Sequence, residues 1–219
     1  MKNSLAGVLK QWVTPLLVDA GFRKVGSAYR LETSDGGLAV VDARLFPLID
    51  DLVIFILEMA VAPPILVQFE LRNEAEPVVG KLEWAGWSRR LRPAKATIEV
   101  CRPLLGRSSR LWEIDPMWVL PKYGDAEVCG QDLQTHLARV VPELLPMLSP
   151  SVMLTVLRSG EPPPYAVPLN LSPEWLEALL MLGAEGNSPN LQVLMDRIER
   201  TSPDNEVTPW IRAQLASSE

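Results

Sequence analysis

The run Leu52 to Val61 most constrains what this chain can fold into. It holds Val53, Ile54, Phe55, Ile56 and Leu57 in succession, with Glu58 its one charge. Such a run is a strand buried on both faces or a short core helix. Its β-branched residues, and Pro47 and Asp50-Asp51 before it, favour a strand. It is too short to cross a membrane, and Pro63-Pro64 ends it. A strand this apolar needs cover on both faces. The stretch Gly37–Val61 therefore reads as two strands folded back on each other, with the chain on either side supplying helices and further strands.

The remaining elements follow from periodicity and punctuation. Asn3 or Ser4 can cap a first helix to about Ala20, its apolar face made by Leu5, Val8, Leu9, Trp12, Val13, Leu16 and Leu17. Pro15 lies inside it and predicts a kink, and Gly21 suits its end. A strand is expected over Ser27–Glu32, followed by a hairpin turn at Asp35-Gly36-Gly37. Ile65–Leu71 and Thr97–Arg102 read as further strands, and a short piece is expected around Trp112 or Trp118. Asp125–Leu148 reads as a helix kinked at Pro142, with a short helix over Val152–Arg158. Ser172-Pro173, Ser188-Pro189 and Thr208-Pro209 each place a capping hydroxyl before a proline suited to the first helical position. Gly183 is a candidate end for the first of these helices.

Together these predict an α+β fold. An antiparallel sheet of four to six strands packs against N-terminal and central helices, and a small all-helical appendage follows. Glu161-Pro162-Pro163-Pro164 is the best linker in the chain. The expected organisation is a domain over 1–160, a proline-rich linker over 161–171 and an acidic helical appendage over 172–219. Charge breaks at the same place. Residues 161–219 hold three arginines against nine acidic residues, which is the whole of the net −6.

From Trp12 to about Arg158 the chain resembles an uncharacterised bacterial family, the Domain of Unknown Function 4304. The resemblance rests on Gly21-Phe22-Arg23-Lys24, Gly26 and Tyr29-Arg30 after the first helix, and on Leu111-Trp112 after a later strand. Val41-Asp42-Ala43-Arg44 departs from the family by lacking an Asn and a Gln. The resemblance implies a fold and no activity.

Candidate chemistry is sparse. Neither phosphate-loop nor dinucleotide glycine patterns occur. His136 is the only histidine and can act as a base at neutral pH, but no Ser or Cys nucleophile stands beside it in sequence. Cys101 and Cys129 lie far apart and form no metal-binding pair, so no metal and no cofactor are expected. They fit two free thiols in a reducing cytoplasm, and the sequence also allows a single disulfide between them. Met1–Lys10 is polar and no apolar h-region follows it, so a cytoplasmic location is expected. Asp50-Asp51 suits a turn, and Glu113 and Asp115 suit one solvated face of a strand.

Two function classes remain. The first is a non-catalytic protein-binding protein, with Glu174, Glu177, Glu185, Asp196 and Glu199 facing a basic partner. An immunity-like protein that masks a toxin is one concrete form. The second uses the basic stretch Arg89, Arg90, Arg92, Lys95, Arg102, Arg107 and Arg110, flanked by Trp84, Trp87 and Trp112. These cations can track phosphates and these rings can stack on bases. A processing enzyme of this class would recruit Arg102, Arg107, Glu113, Asp115 and His136 around the sheet. The blander assignment is a sheet edge kept soluble by cations, with its tryptophans in the core. Trp175, Met181, Met195 and Trp210 read as a partner surface or, more ordinarily, as helix core.

Overall fold

The computed structural model describes residues 4–46, 52–72, 87–105, 117–121, 126–159 and 171–217. The fold is α+β, with an antiparallel sheet of six strands. These are β1 (Arg23–Val25), β2 (Ala28–Glu32), β3 (Leu38–Phe46), β4 (Leu52–Ala62), β5 (Trp87–Leu91) and β6 (Trp118–Pro121). The path runs β1-β2-β3-β4-β5, and β6 also pairs with β4. The apolar run is thus the central strand. Ile54, Phe55, Ile56 and Leu57 are consecutive and all buried, as two covered faces require. In the β4–β6 register Phe55 stands opposite Trp118, and the two rings stack with centroids 6.4 Å apart.

The first helix is broken in three. Ser4 Oγ accepts the Gly7 N–H and starts α1 (Leu5–Val8). A π-helical turn spans Leu9–Val13, and α2 (Thr14–Asp19) follows. Pro15 explains the break: it cannot donate to the preceding turn, and its ring crowds the carbonyl four residues back. The wide turn lets the Thr14 N–H and hydroxyl both reach the Leu9 carbonyl, the hydroxyl at 2.9 Å. The same hydroxyl lies 2.6 Å from the buried Tyr29 hydroxyl.

Two expected strands are helices. Ile65–Leu71 belongs to α3 (Pro64–Leu71), because Pro64 at the first position suits a helix start and disfavours a central strand. Thr97–Arg102 belongs to α4 (Lys95–Leu105), where Thr97 and Cys101 are buried four residues apart. Asp132 supplies the missing start signal: its carboxylate accepts the Ala94 N–H at 2.8 Å. Helix α5 (Glu127–Leu144) contains Pro142 and runs into a 3₁₀ turn, Leu145–Leu148. Its buried face includes Leu133, Leu137, Val140 and Val141, while Leu145 is half-buried. A Cβ on Gly130 would come within 2.3 Å of the Trp12 ring, so this helix needs glycine there.

Helix α6 (Pro150–Arg158) precedes α7 (Pro173–Glu185), α8 (Pro189–Thr201) and α9 (Val207–Ala216). Ser172 and Ser188 cap α7 and α8 through the backbone N–H of Trp175 and Leu191. The third start differs. Asn205, not Thr208, takes the capping role: its side-chain oxygen accepts both the Thr208 N–H and the Thr208 hydroxyl. Gly183 lies within α7, where a Cβ would meet Ile65 of α3 at 3.0 Å. The helix ends instead at Gly186, whose φ of 65° suits glycine.

Two compact units emerge. Unit 1 comprises residues 1–31, 40–59 and 90–143, and unit 2 comprises 32–39, 60–89 and 144–219. The sequence sets a boundary at 160, whereas unit 2 takes residues from both sides of it. The proline stretch Glu161–Pro164 lies outside the described residues. Among the described residues, no single helix is long and apolar enough to cross a membrane.

Candidate functional site

In unit 2 the candidate acids sit on helices with filled inner faces. Leu176, Ala178, Leu179 and Leu180 of α7 are buried, as are Leu191, Leu194, Met195 and Ile198 of α8. The outer faces carry the charge. Arg158 reaches Glu177 at 2.9 Å and Glu185 at 3.2 Å. Arg212 grips both oxygens of Glu199, at 3.0 and 3.1 Å, and lies 3.7 Å from Asp196. Each cluster sets one arginine between two carboxylates and stays net negative. The Arg212 hydrogen bond holds the Glu199 carboxyl below the usual carboxylate range, against a smaller opposing effect of burial. Glu174 lies in the first turn of α7, where the positive end of the helix favours it. The paired arginines are a feature that sequence reasoning missed.

The aromatic and sulfur candidates nearby are core. Met181 and Met195 are buried. Trp175 and Trp210 are half-buried, and Trp210 meets Phe69 edge-on at 5.2 Å.

The described basic candidates from Arg90 onward, in unit 1, do not converge on one site. Arg89 and Arg90 lie on β5. Arg90 Nε reaches Glu58 on β4 at 3.2 Å, and Arg44 on β3 lies 3.7 Å from the same carboxylate. Arg44 also bonds Asp42 at 3.0 Å, so the strands share a ladder of alternating charge. Arg92 follows β5, Lys95 opens α4, and Arg102 stands in the last turn of α4; all three are exposed. Arg107, Arg110, Glu113, Asp115, Asp50, Asp51, Trp84 and Trp112 lie outside the described residues. Among the described residues, no group of three or more His, Cys, Asp or Glu could hold a metal ion.

His136 belongs to a packed cluster. Its Nε2 lies 3.5 Å from Asp132 Oδ1, and its ring meets Trp118 edge-on at 6.0 Å. The other Asp132 oxygen takes the Ala94 N–H. Trp118 Nε1 donates to the Leu91 carbonyl at 2.8 Å. The Cys101 thiol donates to the Val119 carbonyl at 3.3 Å, and burial pushes its pKa up. Burial raises the Cys129 thiol strongly, with Cys101 and Asp132 adding to the effect. Protonated buried thiols are poor nucleophiles. An acid four residues before a histidine is visible in sequence; the second bond of Asp132, to a backbone 38 residues away, is not.

Compared with known proteins, the chain matches no family model, no curated protein and no solved structure.

Proposed function

We propose that this protein acts by binding a basic protein partner, with the acidic outer faces of α7 and α8 contributing to capture. One observation carries the reading: four of the five candidate acids form two arginine-centred clusters, each keeping a net negative charge on a helix with a buried inner face. Such acids are held in place before a partner arrives, so less side-chain freedom is lost on binding. Complementary charge then acts mainly on encounter rate. Masking a cationic toxin, as an immunity-type protein does, is the concrete form this reading takes. The environment of His136 supports a structural role: its Asp132 neighbour also starts α4.

The test uses the full chain and the partner it retains from its source cells. Association is timed by stopped flow at rising salt. Changing Glu174, Glu177, Glu185, Asp196 and Glu199 to glutamine should slow association about ten-fold or more at low salt, and salt should erase the difference. His136→Gln should leave the rate unchanged. The reading is wrong if His136→Gln abolishes activity in a folded protein while the five-acid variant associates at the native rate. Retention of nucleic acid, lost on changing Arg92 and Arg102 to glutamine, would favour the alternative class.

A further inference from the structure

Unit 2 contains a cavity of about 430 Å³ that belongs to none of the groups described above. Ile65, Leu182 and Leu215 give it an apolar floor, and Gln68, Asn187 and Gln214 place three amides around it. Among the described residues, no ionised side chain lines it. Leu182 lies in the last turn of α7, and Gln214 and Leu215 lie in the last turn of α9. Helix C-termini carry partial negative charge, and a cation normally offsets it. Neither last turn holds a basic residue. Arg212, just upstream on α9, is engaged by Glu199, and Glu185 at the end of α7 by Arg158. Gly186 adds open space at the rim, since a Cβ there would meet nothing within 4 Å.

We infer that this cavity receives an arginine side chain of the basic partner. The inference rests on the partner reading above and gives it a specific contact. A guanidinium is planar and weakly hydrated, and its five donors suit amide oxygens that carry no full charge. Asn187 Oδ1 already accepts from Gln192 Nε2 at 2.6 Å, which fixes its orientation and leaves a second lone pair. The three-carbon stem of arginine covers the aliphatic floor. A volume of about 430 Å³ falls within the range of small-ligand sites, so the side chain and its flanking backbone both fit.

The test is an NMR titration of the full chain with N-acetyl-arginine methylamide and with the neutral citrulline analogue, which keeps the shape and loses the charge. The arginine probe should shift the Gly186 and Asn187 amide signals saturably, and the citrulline probe should bind at least ten-fold more weakly. Gln68→Lys should lower arginine affinity ten-fold or more; Gln68→Glu, which adds a charge and keeps the shape, should raise it about three-fold or more. Equal binding of both probes, unchanged affinity in both Gln68 variants, or shifts confined to residues around Glu174 and Glu199 would overturn the inference. The two readings fail separately. If the probe leaves Gly186 and Asn187 unmoved while the five-acid variant still slows partner association, the cavity inference falls alone. If the probe binds normally in the five-acid variant and that variant associates at the native rate, the acidic-surface reading falls alone.

Discussion

Among the described residues, the two units satisfy their buried and half-buried polar groups in different ways. In unit 1 the bonds reach far along the chain. Trp118 donates to Leu91 across 27 residues, Asp132 accepts from Ala94 across 38, and Cys101 donates to Val119 across 18. In unit 2 the buried side-chain bonds among the described residues are local: Asn205 serves Thr208 three residues on. A buried group stripped of its partner costs more than the bond's net contribution, because it leaves water without compensation. Unit 1 is therefore specified by contacts that exist only when distant segments have met. Unit 2 is specified by caps that each helix carries, then by aliphatic packing.

Removing the last three helices of unit 2 has the largest expected effect. The linker pattern predicts that residues 1–160 fold alone. Yet Met153 and Leu154 of α6 and Ile65, Leu66 and Phe69 of α3 are buried in the unit that contains α7–α9. Trp210 of α9 covers Phe69, and α7 meets Ile65 closely at Gly183. Exposing five such side chains at about 1.5–3 kcal/mol each rivals the about 5–15 kcal/mol that holds a typical domain together. A chain ending at Ser159 should lose cooperative thermal unfolding of α3 and α6 and expose apolar surface to a hydrophobic dye. A truncated chain that melts in one sharp transition, without dye binding, would show that unit 2 does not need its last three helices.

A paired substitution sharpens the contrast. Asp132→Ala leaves the Ala94 N–H without its carboxylate and removes the neighbour of His136, and should cost about 1–3 kcal/mol in urea unfolding. Ser188→Ala removes a local cap on the Leu191 N–H, and should cost about 1 kcal/mol. The ranking matters more than either value. If Ser188→Ala proved the more damaging, the division into long-range and local specification would be mistaken.

The same division explains what the sequence discloses. Leu52–Val61 announces the central strand because two covered faces leave one pattern available. Ser172-Pro173 and Ser188-Pro189 announce helix starts because the capping atoms lie within three residues of the N–H they serve. Thr97–Arg102 misleads because Thr-Ile-Glu-Val-Cys alternates as a strand does, while its buried pair Thr97 and Cys101 also fits one helix face. What settles the choice is Asp132, 38 residues away. Ile65–Leu71 carries its own helix signal in Pro64, which suits the first turn of a helix. Of the candidate site, the acids are legible and their arginines are not. Arg158 reaches acids 19 and 27 residues on, spacings that no local periodicity reveals.

The smallest expected effect concerns Glu199 and Arg212, and its sign follows from the direction of the shift. The Arg212 hydrogen bond lowers the folded-state pKa of Glu199 below the ordinary 4.5. A lowered carboxyl pKa means that the unfolded chain takes up a proton first as acid is added. The stabilisation is therefore fully present above the ordinary value and is lost as pH falls through the folded one. Both side chains are substantially exposed, at 49% for Arg212 and 39% for Glu199, so screening keeps the contribution to about 0.2–1 kcal/mol. Stability of the native chain should exceed that of Glu199→Gln by this amount at pH 7. The gap should close as pH drops below about 4.5, and it should shrink in 1 M salt at neutral pH. A gap that persists in acid and in high salt would show that Glu199 stabilises α8 and α9 by packing, and that the arginine clusters are not electrostatic in origin.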